Sequence, residues 1–425
     1  MAAKAILVST LYYPNGQLPG NDRSYYKFLF DHRNKAPSEK ERLAFATDYV
    51  ERNRKWMEKH MPLVAPEILH RAVRDWRMYG PKYFLLYHDP ALYSCRWPEA
   101  EMYKAEWVPA TYAVDDATNE YYTNLCDSYL DKLLYEMRNE ARLGFDGMNF
   151  DCFPLGGGFN ETAGNAHRVR KGVVPYLHND NILMIAPQGM RPGASLFKWR
   201  ELCKRTAHIL YTENRLTYGV PWVDLHATHG QAVPVTAFCA TTITHERSSG
   251  GGEYFDRFPE SFILADTAGT QSGIIPKTIV STRGKNREDE LRTLIAFGFS
   301  YGLLNIFDQG VFIKSKEYRL SRDYPFTFGY GDPKCQTLPF YGKVEQPVKC
   351  SAPAIRTTQV IHPEGKTLLL IGNPGEATVA EFDVTKLNYG KYKVIDVFSN
   401  KELPRAAVKI GKRSYAMLEI RKIGK

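Results

Sequence analysis

The chain has 425 residues, 44% of them apolar and 24% charged, with a formal charge of +9 from 56 Lys and Arg against 47 Asp and Glu. These are the proportions of a folded globular chain and exclude disordered or collagen-like classes, and no run of about 18 apolar residues occurs to span a membrane. The length exceeds what one hydrophobic core normally supports, so we expect one large domain and one smaller one.

Short β-branched or aromatic runs alternate with amphipathic helices, the reading of parallel βα units. In chain order the strand candidates are 4–12, 83–88, 147–151, 182–186, 222–226, 237–244, 276–281 and 302–308. A charged, helix-rich region covers 22–77. A helix is expected over 118–143, where Leu125, Tyr129, Leu133 and Met137 recur every four residues, with others over 199–212 and 287–300. Eight strands alternating with helices predict a (β/α)8 TIM-type barrel over 1–345.

After Asp308 the chain turns to Gly, Pro and aromatic residues. From 357 onward the pattern is short and alternating, at 357–362, 366–371, 377–382, 392–396 and 415–420, with turns at Asn373-Pro374-Gly375 and Asn388-Tyr389-Gly390. This predicts a small C-terminal antiparallel β-sandwich over 346–425, expected to buttress the barrel.

Barrel enzymes place their chemistry at the C-terminal ends of the strands, so the polar residues closing each apolar run are the candidates. The sharpest is Gly144-Phe-Asp-Gly-Met-Asn-Phe-Asp151. There a helix ends at Gly144, a buried strand follows and Asp151 emerges at its top. Asp224, His226 and His229 close the next polar cluster, and His245 and Glu246 end a later strand. His88 and Asp89 close the second strand and Asp308 the last, while Tyr12, Tyr13 and Asn15 follow the first. Glycosidic cleavage needs one group to protonate the leaving oxygen and another to stabilise or attack the developing oxocarbenium centre. Asp151 and Glu246 are the candidate pair. Glu246 would be the general acid and Asp151 the base or nucleophile; the other residues would line the sugar subsites.

The string G-F-D-G-x-x-F-D resembles the fourth-strand motif of barrel glycoside hydrolases. Together with Trp199-Arg-Glu-Leu-Cys, Val223-Asp-Leu-His226 and Pro234-Val-Thr-Ala-Phe-Cys, it resembles uncharacterised barrel proteins related to glycoside hydrolase family 123 over roughly residues 80 to 310. That resemblance implies a carbohydrate-active barrel, in which Asp151 would be the orienter of an acetamido group if it is not the base or nucleophile. The adjacent Asp-Glu pair that serves substrate-assisted hydrolysis in that family has no clear counterpart here.

The seven cysteines contain no C-x-x-C pair, against a structural zinc site, and Cys335 and Cys350 flank a loop that a disulfide could close. We expect no metal and no cofactor. The positive charge suits an anionic glycan; the cations are dispersed apart from the tail Lys409, Lys412, Arg413, Arg421, Lys422 and Lys425, and no nucleic-acid motif is present. The expected partner is a carbohydrate, acidic or N-acetylated, with no nucleic acid and no membrane. A strand starting within four residues of Met1 and the want of a signal peptide suggest a trimmed, secreted or periplasmic form. Two other classes stay open: a non-catalytic glycan-binding barrel, and a polysaccharide lyase using Tyr and His.

Overall fold

The computed structural model describes residues 8–11, 22–60, 65–74, 83–90, 92–94, 98–107, 120–122, 125–153, 173–177, 183–187, 196–217, 219–227, 233–246, 261, 274–280, 287–302, 306–308 and 316–424. The chain divides into two compact units, 6–242 with 272–274, and 1–5 with 243–271 and 275–425.

In the first unit the strands β1 (Val8–Leu11), β2 (Tyr83–His88), β3 (Gly147–Phe153) and β4 (Val220–Ala227) pair in parallel in chain order. The 22–77 region supplies three helices, α1 (Ser24–Asp31), α2 (Glu39–His60) and α3 (Pro66–Arg74), and two longer ones follow, α4 (Asp127–Leu143) and α5 (Leu196–Thr212). Helix α4 begins at 127 and not at the expected 118, because Glu120–Tyr122 instead pairs as a strand with Leu92–Ser94.

Alternation along the parallel strands separates two faces. Phe84 and Leu86, Met148 and Phe150, and Val223 and Leu225 share one core with Tyr129, Leu133 and Met137 of α4 and Trp199, Leu202 and Leu210 of α5. Facing the other way are Leu85 and Tyr87, Gly147, Asn149 and Asp151, and Trp222, Asp224 and His226. That second face becomes progressively polar toward the C-terminal strand ends.

The glycine- and aspartate-bearing half of the G-F-D-G motif is structural. Gly144 caps α4 at φ 128°, a left-handed geometry that side chains resist. Asp146 accepts Arg33 Nη1 at 2.8 and 3.0 Å and the amide of Phe84 at 2.8 Å, so it ties α1 to the starts of β2 and β3. A Cβ on Gly147 would lie 2.2 Å from the Trp222 carbonyl oxygen and 2.6 Å from Leu85 Cδ2, so only glycine admits β4 this closely.

The run expected as a strand at 182–186 does not join the parallel strands. Leu183–Pro187 forms an antiparallel hairpin with Val173–Leu177. Five apolar residues look alike in either setting, and the nearby run Val173-Val-Pro-Tyr-Leu177 offers a local partner that needs no crossover.

A fifth strand, β5 (Thr241–Glu246), follows a helical turn at Val233–Thr236, and the amides of Ala237, Phe238 and Cys239, which donate back to Val233, Val235 and Thr236, take the start of the run expected at 237–244 out of the strand. In the second unit β6 (Ile275–Val280) and β7 (Ile306–Asp308) pair in parallel, followed by α6 (Arg287–Tyr301) between them and α7 (Lys316–Phe328) after them in sequence. Of the strand expected at 302–308, Ile306–Asp308 is described, and Gly302, at φ 67°, follows the end of α6.

The C-terminal strands are antiparallel throughout. They are β8 (Gln336–Pro339), β9 (Lys349–Cys350), β10 (Arg356–His362), β11 (Lys366–Gly372), β12 (Thr378–Asp383), β13 (Tyr392–Asp396), β14 (Lys401–Leu403), β15 (Ala407–Ile410) and β16 (Tyr415–Lys422). One sheet has the order β8-β10-β11-β16-β13-β14 and another β9-β12-β15. Strand β11, Lys366-Thr-Leu-Leu-Leu-Ile-Gly372, is apolar on both faces because both are covered. Leu368 and Leu370 share a core with Leu291, Leu294, Ile295 and Phe299 of α6, whereas Leu369 and Ile371 share one with Ala380, Phe382 and Ile410 of the smaller sheet. Cys335 packs with the first of these cores and Cys350 with the second, and both thiols are free, so the bridge left open above is not formed. No described helix is long and apolar enough to cross a membrane.

Candidate active site

Asp151 lies at the end of β3 on the polar face of the first unit. Strand β3 is irregular there. Phe150 pairs with Leu225 and Phe153 with Ala227, so Asp151 and Cys152 together oppose the single residue His226. This is the arrangement of a β-bulge, which re-aims a side chain beside a strand end. His226 Nδ1 stands 2.6 Å from one Asp151 carboxylate oxygen, and the Tyr87 hydroxyl donates to the other at 2.5 Å. The Asp151 side chain keeps 25% of its exposure while that of His226 keeps 10%. Each carboxylate oxygen thus has a polar partner, and a donor on each would favour the ionised form.

One register step below, Tyr87, Asn149 and Asp224 lie side by side on β2, β3 and β4. Asp224 is fully buried. It accepts Asn149 Nδ2 at 2.5 Å and the Thr241 hydroxyl at 2.6 Å, and Thr241 in turn accepts Trp222 Nε1 at 3.0 Å. Burying a carboxylate is tolerable only with such partners. Asp224 thus underlies the site and braces three strands, instead of presenting its own oxygens to a sugar.

His88 is placed differently from its neighbour. Strand alternation turns it to the helix side, where its Nε2 meets Glu140 of α4 at 2.8 Å. Burial lowers its pKa, but the charge and hydrogen bond of Glu140 outweigh this and leave it above the ordinary imidazole value. On the same helix, burial raises Glu136, which Lys132 pairs at 3.0 Å. His88 therefore belongs to an ionic cluster between β2 and α4, away from Asp151.

Of the expected site residues, the structure brings together Asp151, Asp224 and His226, and places Asp89 half-buried just past β2. Tyr12, Tyr13, Asn15 and His229 lie outside the described residues, as do the side chains of His245, Glu246 and Asp308, whose strands alone are described. Among the described residues no His, Cys, Asp and Glu cluster suits a metal ion. Tyr87 escaped the sequence reading. In Tyr83-Phe-Leu-Leu-Tyr-His88 apolar residues occupy both faces, so the run does not reveal whether Tyr87 or His88 turns toward Asp151.

No protein-family model matches this chain, and no curated protein matches it either. Solved structures do. A β-L-arabinopyranosidase of glycoside hydrolase family 27 from Geobacillus stearothermophilus aligns over 100% of this chain and 87% of its own, at 10% identity and a TM-score of 0.51. An α-glucosyl transfer enzyme, XgtA, aligns over 85% and 87% at 10% identity and 0.48. A noncanonic maltogenic α-amylase from Thermotoga neapolitana aligns over 84% and 79% at 11% identity and 0.45. At these identities the likeness is one of fold, carried by the first of the three; the other two align more loosely.

Proposed function

We propose that this chain is a glycoside hydrolase whose β strands 1 to 7 belong to a (β/α)8 barrel and whose working carboxylate is Asp151. The observation that carries this reading is the clamp on Asp151, with Tyr87 and His226 each holding one oxygen at the C-terminal end of parallel strands, where barrel enzymes act. The shared fold with a glycoside hydrolase supports it. A carboxylate oriented by a partner on each oxygen suits attack on, or stabilisation of, an oxocarbenium-like centre, and Glu246 at the end of β5 is the proposed general acid. Kinship with family 123 in particular, the division at 345/346 and a carbohydrate that is acidic or N-acetylated belong to the same reading.

The test is a panel of aryl glycosides and polysaccharides, scored for new reducing ends. We expect release from at least one substrate by the wild-type chain and none from it by Asp151→Asn. Equal release by both would remove Asp151 from the chemistry.

A second reading is favoured by one observation, that Tyr87 and His226, the residue types of a polysaccharide lyase, converge on one carboxylate. A lyase would yield an unsaturated uronate with ultraviolet absorbance, which hydrolysis does not make.

A further inference from the structure

The C-terminal sheet carries charge that the strand-end site does not use. Strand pairing sets Lys366 of β11 opposite Arg421 of β16, and Arg421 opposite Lys393 of β13, so three cations stand in one row across adjacent strands. Like charges placed opposite each other cost stability. Two of the three are offset locally, Lys366 by Glu364 at 2.7 Å and Arg421 by Glu419 at 2.5 and 2.8 Å. Lys393 has no acidic partner among the described residues, and neither do Lys391 and Lys422 beside it. On the other face of the same strand ends Tyr392, 39% exposed, lies directly opposite Lys422. Strand β14 covers β13 only from Val394 to Asp396, which leaves 391–393 as an open rim, and the Ile423 amide donating to the Lys391 carbonyl at 2.8 Å holds the two strand ends together.

We propose that this open edge, with Lys393 on one face and Tyr392 and Lys422 on the other beside Lys391, binds an acidic polysaccharide through groups that take no part in the Asp151 site. Lys391, just before β13, and Lys393 within it lie two residues apart, roughly 7 Å in an extended chain, a spacing that lets successive anionic units of one polymer lying along the open edge each find a partner. Tyr392 adds a flat apolar face with a polar tip, suited to a sugar ring. The sequence shows these groups only as part of a dispersed basic tail. Within that tail Lys412 is neutralised by Glu376 at 2.6 Å, and Lys422 gains its company from residues thirty positions earlier. Lysines on an open strand edge also discourage edge-to-edge pairing, but that role needs neither Tyr392 nor Lys422. The carbohydrate nature of the ligand rests on the glycoside hydrolase reading; the positive rim does not.

The experiment measures binding of the full chain carrying Asp151→Asn to polygalacturonate, with dextran as the neutral polymer and single-stranded DNA as the rival polyanion. Polygalacturonate should bind, weaken as salt is raised and outcompete DNA, while dextran should not bind. The further changes Lys391→Gln, Lys393→Gln and Lys422→Gln together should weaken it about tenfold, and Tyr392→Ala alone should weaken it measurably. No binding, tighter binding of DNA, or undiminished affinity in the triple variant overturns the proposal. Should the triple variant unfold, undiminished affinity in Tyr392→Ala does so. The lysine changes made in the wild-type chain should leave turnover of a small aryl glycoside unchanged. Failure of the rim is therefore read apart from failure of the hydrolase reading, which would show as turnover surviving Asp151→Asn.

Discussion

His226 Nδ1 and the Asp151 carboxylate stand 2.6 Å apart across the pairing of β3 and β4, at the point where a bulge sets two residues of β3 against one of β4. A regular ladder would continue the register of Asn149 with Asp224 and set Asp151 directly opposite His226. The extra residue turns the carboxylate so that the ring meets one oxygen and the Tyr87 hydroxyl the other.

Tyr87→Phe removes one donor and leaves the ring packing. Loss of a hydrogen bond to a charged acceptor is worth roughly 1.5–3 kcal/mol, which would reduce kcat about ten- to a hundredfold with little change in KM. His226→Ala should act similarly, and His226→Asn, whose amide can reach as Nδ1 does, should recover part of the loss. Steady-state kinetics of the three variants check this; equal rates in all of them would show that the clamp is purely structural.

The two aspartates of the G-F-D-G-M-N-F-D string should separate cleanly. Asp151→Asn should lower turnover on the order of 10³-fold or more with the melting temperature nearly unchanged. Asp146→Asn weakens the Arg33 pair and the Phe84 amide bond, so it should cost about 2 kcal/mol of stability while the folded molecules turn over normally. Thermal melts and active-site-normalised rates measured on both proteins decide the matter.

Stability should depend on pH through His88. Its pKa in the folded chain lies above the ordinary 6.5, since Glu140 outweighs the burial that acts against it. The pairing therefore contributes fully below pH 6.5 and is lost as pH rises through the raised folded value. Glu140→Gln should lower stability by roughly 1–3 kcal/mol on the acid side of that window and much less on the alkaline side. Urea melts across the range should show the two proteins converging at high pH, whereas a constant difference would assign the loss to packing.

Gly147→Ala should destabilise the first unit on the order of 3 kcal/mol, since the added methyl meets a backbone oxygen at 2.2 Å that no rotamer can move. Gly219→Ala serves as the control in space, with nothing within 4 Å of an added Cβ, although its φ of 80° carries a backbone cost of its own. Denaturant midpoints compare them, and an unchanged midpoint for Gly147→Ala would show that β3 and β4 part to admit the methyl.

The sequence by itself determined the alternation of helices with parallel strands, the antiparallel C-terminal strands, and the emergence of Asp151 and His226 at strand ends, because each follows from local periodicity and from the polar residue that closes an apolar run. It did not determine which of Tyr87 and His88 turns to Asp151. Strand β2 is apolar on both faces, so only what each face meets, Glu140 of α4 for His88 and the Asp151 carboxylate for Tyr87, gives it meaning. The hairpin at 173–187 escaped for a related reason, since five apolar residues carry no record of the strand they will pair with. The bulge at Asp151, the burial of Asp224 and the gathering of Lys391, Lys393 and Lys422 are likewise set by pairing between distant segments. Tertiary contact decides them because hydrogen-bond register and burial are properties of two strands at once, whereas a sequence pattern describes only one.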